Sequence, residues 1–399
     1  MSCGQWAGLK TATILMRGCD LRFFELNCLS SLKSQHHERS MPIDAESSTR
    51  LNLLRFPLIV GVVFIHAYDT SVNVAEGGIG VSETGFWSDC IRNFISQGLA
   101  RVAVPVFFLM SGYLFFQGFD ESWDAYRAKW TSRVRTLLIP FLFWNLMVLL
   151  MIGVAQQVPA TRTFFSGKNA PVFTFDAFGY LNAIFGITRP PIAYQFWFIR
   201  DLMLLVLLAP VVAFLDSNAR VPSLAVLVGC WLLDVWPFRM PSAEATLFFS
   251  VGVCLAKAGK RIFWSDKYGA LFVSLYLPAV LLDSLVYRQY FGPYLHRIGI
   301  LLGVPAALFA TKLLVTHHAK LQAAFLSLAS ASFFVYASHE PPLMIARKVS
   351  YKVLSPATSQ GVLLLYFLNP ILVLCSSLLL YRRLSRVFPG TIRLITGGR

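Results

Sequence analysis

Residues 51–68 read LNLLRFPLIVGVVFIHAY, an apolar run with Arg55 near its start and His66 near its end. Eleven positions of an α-helix correspond to a rise of about 16 Å and to about three full turns, so both side chains point to one face. An ionisable residue inside a membrane is costly and is therefore a candidate for function. The stretch predicts a membrane helix that places an arginine and a histidine at two depths of one interior wall.

The composition of the whole chain agrees with a membrane location. Of the 399 residues, 56% are hydrophobic and 14% are charged, and the mean hydropathy is +0.60. This is too little polar surface for a soluble protein of this length. The net charge of +15 does not indicate nucleic-acid binding, because the basic residues gather in short loops between apolar runs. We therefore predict an all-α polytopic membrane protein that contacts membrane lipids and no nucleic acid.

The cysteines predict neither a metal site nor a disulfide framework. There are seven of them, an odd number, and Cys230, Cys254 and Cys375 lie inside apolar runs. None has a CxxC or a Cys/His spacing. We expect no bound metal ion and no tightly bound cofactor.

Apolar runs long enough to cross about 30 Å of hydrocarbon recur from residue 49 onward. They predict about ten transmembrane helices in one bundle, although the fifth and sixth runs are short enough to be one hairpin or two tilted pieces. The runs are 51–69, 98–117, 136–155, 196–215, 222–237, 244–259, 268–288, 295–315, 325–347 and 361–382. We assign 49–386 to one membrane domain, 1–48 to a disordered tail or a mis-assigned start, and 387–399 to a short cytoplasmic tail.

The basic loops predict the orientation of the bundle. Lysine and arginine follow the second, sixth and tenth runs, which end on one side if there are ten spans, and that side should be the cytoplasm. Both termini are then cytoplasmic. Two basic stretches, YRQYFGPYLHR at 287–297 and RKVSYK at 347–352, fall on the outer side and do not fit this pattern. The residues that set the orientation are Arg127, Lys129, Arg133, Arg135, Lys257, Lys260, Arg261, Arg382, Arg383 and Arg386.

The segment 156–195 differs from the runs around it because it is rich in proline and aromatic residues. Its apolar piece FDAFGYLNAIFGI is too short to cross a bilayer. It predicts an outer amphipathic or re-entrant element that could cover a site, since irregular backbone at membrane depth must be buried in protein or line a wet cavity. An interfacial helix lying on the headgroups is an equally good interpretation.

The ionisable residues of the predicted spans concentrate in the outer half of the bundle. Helix ends are naturally polar, so each residue taken alone is consistent with an interface residue or an ion pair. His66 and Arg200 are less easily explained in this way, because apolar residues flank both. The residues are His66, Asp69, Arg101, Arg200, Asp201, Asp234, Glu244, Asp283, His339 and Glu340.

The chemistry of His66, Asp69 and Arg55 suggests a role for each of them. Histidine exchanges a proton near neutral pH, so a buried His66 suits general-base work on a hydroxyl. Asp69, three positions later, could orient the imidazole or simply solvate the helix end. Arg55 suits the phosphate of a molecule that arrives from the cytoplasm, or it is an anchoring arginine that reaches toward the inner surface.

Four segments, in this order, resemble the acyltransferase-3 family of integral membrane acyltransferases. No single segment is specific, but the order and spacing of all four make the resemblance strong over roughly residues 48–386. The segments are the Arg55-x10-His66 pair, PVFFLMSGYLFF (Pro105–Phe116), QFWFIRDLMLLVLLAP (Gln195–Pro210) and SASFFVYASHEPP (Ser330–Pro342). The last segment departs from the family pattern at Phe333 or Phe334 and at Ala337.

The resemblance implies a ten-span protein of the bacterial inner membrane that transfers an acyl group, commonly acetyl from acetyl-CoA. The acceptor would be a hydroxyl of a cell-envelope glycan or of a lipid-linked saccharide. It implies that His66 and Arg55 are the catalytic pair. The candidates for binding substrate or the oxyanion are Arg101, Trp197, Arg200, Asp201 and His339.

On this interpretation acyl-CoA is the co-substrate, with its phosphates near Arg55 and its thioester near His66. His66 either deprotonates the acceptor hydroxyl for direct attack or carries the acyl group itself. The alternative function is a proton-coupled transporter or a glycan or lipid exporter, although the sequence has no inverted repeat. A non-catalytic relative in polysaccharide assembly is a third interpretation, against which the presence of both Arg55 and His66 argues.

Overall fold

The computed structural model describes residues 44–75, 77–81, 83–162, 164–165, 170–286 and 292–398. The prediction of a tail over residues 1–48 lies, up to residue 43, outside the described residues. The described ranges are almost entirely helical and contain one small antiparallel hairpin, β1 (Ser71–Val74) and β2 (Gly77–Gly80). The all-α class is therefore confirmed.

The helices in the described part of the chain are numbered α1 to α15. Short 3₁₀ turns at Val172–Thr174 and Tyr194–Phe196 lie between α4 and α6. The helices are α1 (Ala45–His66), α2 (Phe86–Phe116), α3 (Trp123–Gln157), α4 (Pro159–Arg162), α5 (Ala177–Phe185), α6 (Trp197–Leu207), α7 (Ala209–Leu233), α8 (Ala243–Lys257), α9 (Trp264–Val286), α10 (Gly292–His317), α11 (Ala319–Ala329), α12 (Ser332–Ser338), α13 (Glu340–Leu354), α14 (Ser359–Val387) and α15 (Pro389–Ile395).

Within the described residues, seven helices are long and apolar enough to cross a membrane: α1, α2, α3, α7, α9, α10 and α14. The number is eight if α11 and α12, which meet at a bend of 59°, form one span. The predicted count of ten is not confirmed. The predicted span 196–215 is α6, only 11 residues long, plus the start of α7, and the predicted sixth span is α8, with 15 residues. Neither α6 nor α8 reaches the roughly 20 residues that a span requires.

Helix α1 lies at the centre of the bundle, packed against α2, α10, α11 and α12. Asp44 caps its first turn by accepting a hydrogen bond from the Ser47 N–H at 2.7 Å, which holds the pKa of that carboxyl below its ordinary value. The buried Arg50 forms a bidentate ion pair with Asp266 at the start of α9. Its guanidinium also lies 3.6 Å from the centre of the Phe263 ring. These contacts fix the depth and rotation of α1 within the bundle.

Helices α2 and α8 approach each other closely through two glycines. A Cβ on Gly112 would lie 2.2 Å from the Phe249 carbonyl oxygen, and one on Gly252 would lie 2.2 Å from the Leu109 carbonyl oxygen. Only residues without a side chain allow the two backbones to meet this closely. The glycine of the PVFFLMSGYLFF segment therefore has a packing role.

The C-terminal residues after α14 form a packed helix. Helix α15 lies against α3, where the Trp144 indole N–H donates to the Ile395 carbonyl at 3.0 Å. Ile392, Ile395 and Thr396 are buried. Most of the segment predicted as a tail, 387–399, is thus part of the helical bundle.

Candidate functional site

One cavity of about 280 Å³ runs along α1 and reaches both ionisable residues of the opening stretch. On α1 it is lined by Arg55, Ile59, Val62, Ile65 and His66. Steps of three and four residues place these side chains on one face of the helix. Arg55 and His66 therefore share one wall, as their spacing predicts, and the cavity connects them.

Helix α2 runs antiparallel to α1 along this cavity. The Ser96 hydroxyl donates to the Phe64 carbonyl at 2.7 Å, and a Cβ on Gly61 would lie 3.3 Å from Ala100. Residues of α1 that are nearer to Arg55 therefore face residues of α2 that are nearer to its C-terminal end. This direction identifies which cavity residues belong to the Arg55 end.

Arg133 belongs to the Arg55 end. It lines the cavity, as do Leu114 and Phe115 of the C-terminal end of α2. Arg133 lies in the first half of α3, one turn after Lys129, whose ammonium donates to the Phe115 carbonyl. Arg55 and Arg133 together make this end of the cavity cationic, whereas the middle is formed largely by apolar and aromatic side chains. A cationic mouth of this kind suits an anionic group such as a phosphate.

Three aromatic or imidazole rings meet at the His66 end. The ring centre of His66 lies 5.0 Å from that of Tyr194 and 5.4 Å from that of His339. The Tyr194 hydroxyl donates to Glu340. His339 and Glu340 are brought here by the break between α12 and α13, since the first helix ends at Ser338.

Two of the predicted binding residues line the cavity, Arg101 and Trp197. Arg101 Nε donates to the Gln97 side chain at 2.8 Å. This hydrogen bond lies within α2 and uses one of the five guanidinium N–H donors. The structure thus places a cation in the same cavity as His66.

Asp69 does not meet the His66 imidazole. Helix α1 ends at His66, so the three-residue spacing no longer places both side chains on one helical face. The largely exposed Asp69 carboxylate instead lies 3.4 Å from Arg347 of α13. No hydrogen bond between Asp69 and His66 is present in the described ranges. The partner of the Asp69 carboxylate is Arg347 on α13.

Arg200 and Asp201 are not among the residues that line the cavity. Arg200 donates to the Asp201 carboxylate at 2.9 and 3.1 Å and to the Gly186 carbonyl at 2.6 Å. The other Asp201 carboxylate oxygen accepts from the Ser242 N–H at 2.8 Å, where α8 begins. The buried pair thus connects the end of α5, the start of α6 and the start of α8, and its role in substrate binding stays a prediction.

The structure adds residues that the sequence analysis did not select. The sequence indicated Arg133 only as a basic loop residue, and Gln195 only as the first residue of the segment Gln195–Pro210. Both line the cavity. A polar amide next to an apolar run was the available signal for Gln195; nothing local distinguishes Arg133 from its basic neighbours.

The segment 156–195 lies beside the His66 end. Its last residues include Tyr194, and its described part lines a second cavity of about 560 Å³ together with Met344, Ile345 and Lys348 of α13. Helix α5 exposes Phe178 and Leu181 and buries Asn182 and Ala183. The second cavity and the His66 end thus lie on either side of Tyr194.

No group of three or more His, Cys, Asp or Glu side chains that could hold a metal ion occurs among the residues the structure describes. The arrangement along the first cavity is instead a cationic end, an apolar passage and an end with two imidazoles. Such a site can bind an anion at one end while a histidine handles a proton at the other.

Comparison with known proteins extends the resemblance over most of the chain. A family model described as an acyltransferase domain matches residues 48–382. The succinoglycan biosynthesis protein ExoH of Rhizobium meliloti (strain 1021) is 26% identical over 368 residues, which cover 90% of this chain and 94% of that protein. No solved structure matches the chain.

Proposed function

The chain belongs to the acyltransferase domain family that matches residues 48–382, and from this membership we propose that it transfers an acyl group from acyl-CoA to a hydroxyl of a cell-envelope polysaccharide or its lipid-linked precursor. The observation that carries the proposal is the single cavity with Arg55 at one end and His66 at the other. The similarity to a succinoglycan biosynthesis protein supports a polysaccharide acceptor.

The cationic end of the cavity supports acyl-CoA as the donor. Arg55 and Arg133 offer forked N–H donors, which suit the phosphates of coenzyme A. The apolar passage between this end and His66 accommodates an extended arm that carries the thioester. We propose acetyl as the acyl group, and succinyl is the alternative that the assay below separates from it.

His66 is the proposed general base. It takes the proton of the acceptor hydroxyl while the hydroxyl oxygen attacks the thioester carbonyl carbon. The tetrahedral oxyanion that forms is stabilised by Arg101, which lines the same cavity. When the carbon–sulfur bond breaks, the coenzyme A thiolate leaves and takes up the proton. Loss of one oxyanion donor typically costs about 3 to 4 kcal/mol in the transition state.

The test compares envelope glycans from a gene-deletion strain carrying wild-type protein, His66→Ala or the control His317→Ala. His317 is exposed at the end of α10. Mass spectrometry should find the acyl group, and its mass separates acetyl from succinyl. Wild type and His317→Ala should restore it, and His66→Ala should lower the transfer rate by about 10² to 10⁴. Unchanged acyl content in the deletion strain, with altered uptake or efflux, would support a transporter and refute the proposal.

A second measurement separates direct transfer from an acyl-histidine intermediate. Protein incubated with labelled acyl-CoA and no acceptor should carry no label if the hydroxyl attacks the thioester directly. Label that is retained by wild type and lost in His66→Ala would establish the covalent route.

A further inference from the structure

Two buried hydrogen-bond acceptors at the His66 end have no donor within the described part of the chain. They are Gln195 Oε1 and His339 Nε2. Gln195 is 1% exposed and His339 is 0% exposed. Buried polar atoms in proteins are nearly always paired, so each unpaired acceptor marks a place for a donor that comes from elsewhere.

The orientation of the Gln195 amide follows from its surroundings. Its Nε2 donates to the Ala337 carbonyl at 3.1 Å, and a carbonyl can only accept. The amide oxygen therefore faces away from Ala337. The backbone carbonyl of Gln195 accepts from the Tyr336 hydroxyl at 2.8 Å, which holds the residue in place. Since Gln195 lines the first cavity, its side chain is fixed beside the reaction space.

The tautomer of His339 follows in the same way. Its Nδ1 lies 2.6 Å from the Tyr336 carbonyl oxygen, which again can only accept. In the neutral ring Nδ1 therefore carries the hydrogen and Nε2 presents a lone pair. The centre of this ring lies 5.4 Å from that of His66.

Both side chains are thus anchored to the stretch Tyr336–His339. The His339 ring lies next to the ring of the proposed base, and Gln195 lines the cavity that reaches this base. Neither acceptor atom can donate a hydrogen bond, so the two atoms select a ligand that carries hydrogen-bond donors. The thioester carbonyl and the phosphates of acyl-CoA offer acceptors only, and the donors of its arm, two amide N–H groups and one hydroxyl, are spread along the chain, so acyl-CoA matches the pair less well. A saccharide carries several adjacent hydroxyls and is a good match.

We infer that Gln195 Oε1 and His339 Nε2 form a hydroxyl-binding subsite that holds the acceptor saccharide beside His66 and determines which of its hydroxyls is acylated. This inference rests on the proposed function. One hydroxyl donates to His66 and reacts, while its neighbours donate to Gln195 and His339. Gln195 is then a specificity-determining residue that does not take part in the proton transfer.

The first test is a kinetic comparison of Gln195→Met with wild type, using full-length protein in membranes, acyl-CoA and glycan isolated from the gene-deletion strain. Methionine matches the length of glutamine but offers only a weak acceptor. The KM for glycan should rise about five- to tenfold, the effect of one lost hydrogen bond. The KM for acyl-CoA and the acceptor-free hydrolysis of the thioester should not change. Gln360→Met, on an exposed residue of α14, is the control and should match wild type.

The second test removes the contact from the ligand and compares wild type with Gln195→Met. Glycan from the deletion strain is partially O-methylated, used as acceptor, and the acylated products are mapped by mass spectrometry. Methylation of two hydroxyls near the acylated one should block transfer by wild type, and only one of them should still block transfer by Gln195→Met.

The results overturn the inference in two cases. In the first case, wild type still acylates the glycan whichever neighbouring hydroxyl is methylated. The other is a Gln195→Met protein whose KM for glycan is unchanged while thioester hydrolysis and transfer fall together, because that pattern indicates a general structural defect. If wild type transfers no acyl group from either acyl-CoA, the proposed function itself fails.

Discussion

Arg55 and His66 stand eleven residues apart on α1 and line the same cavity. The rise of the helix separates them by about 16 Å, while its turn keeps them on one face. One rigid helix therefore holds an anion-binding side chain and a proton-accepting side chain at a fixed separation. This relationship distinguishes the cavity from the larger one beyond Tyr194.

The cationic end should control donor binding. We expect Arg55→Ala and Arg133→Ala each to raise the KM for acyl-CoA about tenfold or more, because each removes a charged donor to a phosphate. The KM for glycan should change little. Arg135→Ala, on an exposed residue of the same part of α3, is the matched control. Steady-state kinetics at two salt concentrations would check this, and an unchanged KM for acyl-CoA in both variants would contradict it.

Asp69 should be dispensable for the chemical step. Its carboxylate pairs with Arg347 and is largely exposed, and such pairs are worth about 0–1 kcal/mol. We expect Asp69→Asn to keep the transfer rate within about fivefold of wild type. Initial rates at saturating acyl-CoA and glycan would test this. A fall of about a hundredfold or more would instead indicate that Asp69 orients His66 during the reaction.

The Arg200–Asp201 pair should matter for stability. Asp201→Ala removes the carboxylate that accepts from the Ser242 N–H and from Arg200, which keeps only the Gly186 carbonyl as an acceptor. Breaking a buried ion pair in this way costs about 3 to 5 kcal/mol. Thermal unfolding in detergent should show a clear loss for Asp201→Ala and none for Asp124→Ala, whose side chain is 96% exposed. An equally stable Asp201→Ala protein with a specific rise in one KM would assign the pair to substrate binding.

The contact between α2 and α8 should not tolerate a methyl group. Gly112→Ala would place its Cβ against the Phe249 carbonyl, so we expect a loss of about 1 to 3 kcal/mol. Gly229→Ala in α7 is the control, because within the described ranges no atom of another part of the chain lies within 4 Å of the added Cβ. That variant should be neutral or slightly more stable, since alanine favours a helix. Thermal unfolding of the two proteins would separate packing from propensity, and equal stabilities would refute the packing role.

Composition and helical periodicity were sufficient for the all-α membrane class and for the shared face of Arg55 and His66. Both depend on local properties of the chain: hydrophobicity along a segment, and backbone hydrogen bonds that repeat every 3.6 residues. Spacing was not sufficient for Asp69, because the helix ends at His66 and the chain turns away. The apolar runs were not sufficient to determine the number of spans, since a run such as 196–215 is divided between two helices, α6 and α7.

The partners of the polar side chains were decided only by the tertiary structure. Arg200 is flanked by apolar residues and looked like a site residue, yet Asp201 and Gly186 use its donors. Nothing local distinguishes Arg133, and an amide next to an apolar run is the one local signal for Gln195. Both reach the cavity because residues of α3 and of the turn before α6 line it together with residues of α1. A sequence can state that a buried polar group needs a partner, but only the packing of distant segments determines which partner it finds and which group remains free for a ligand.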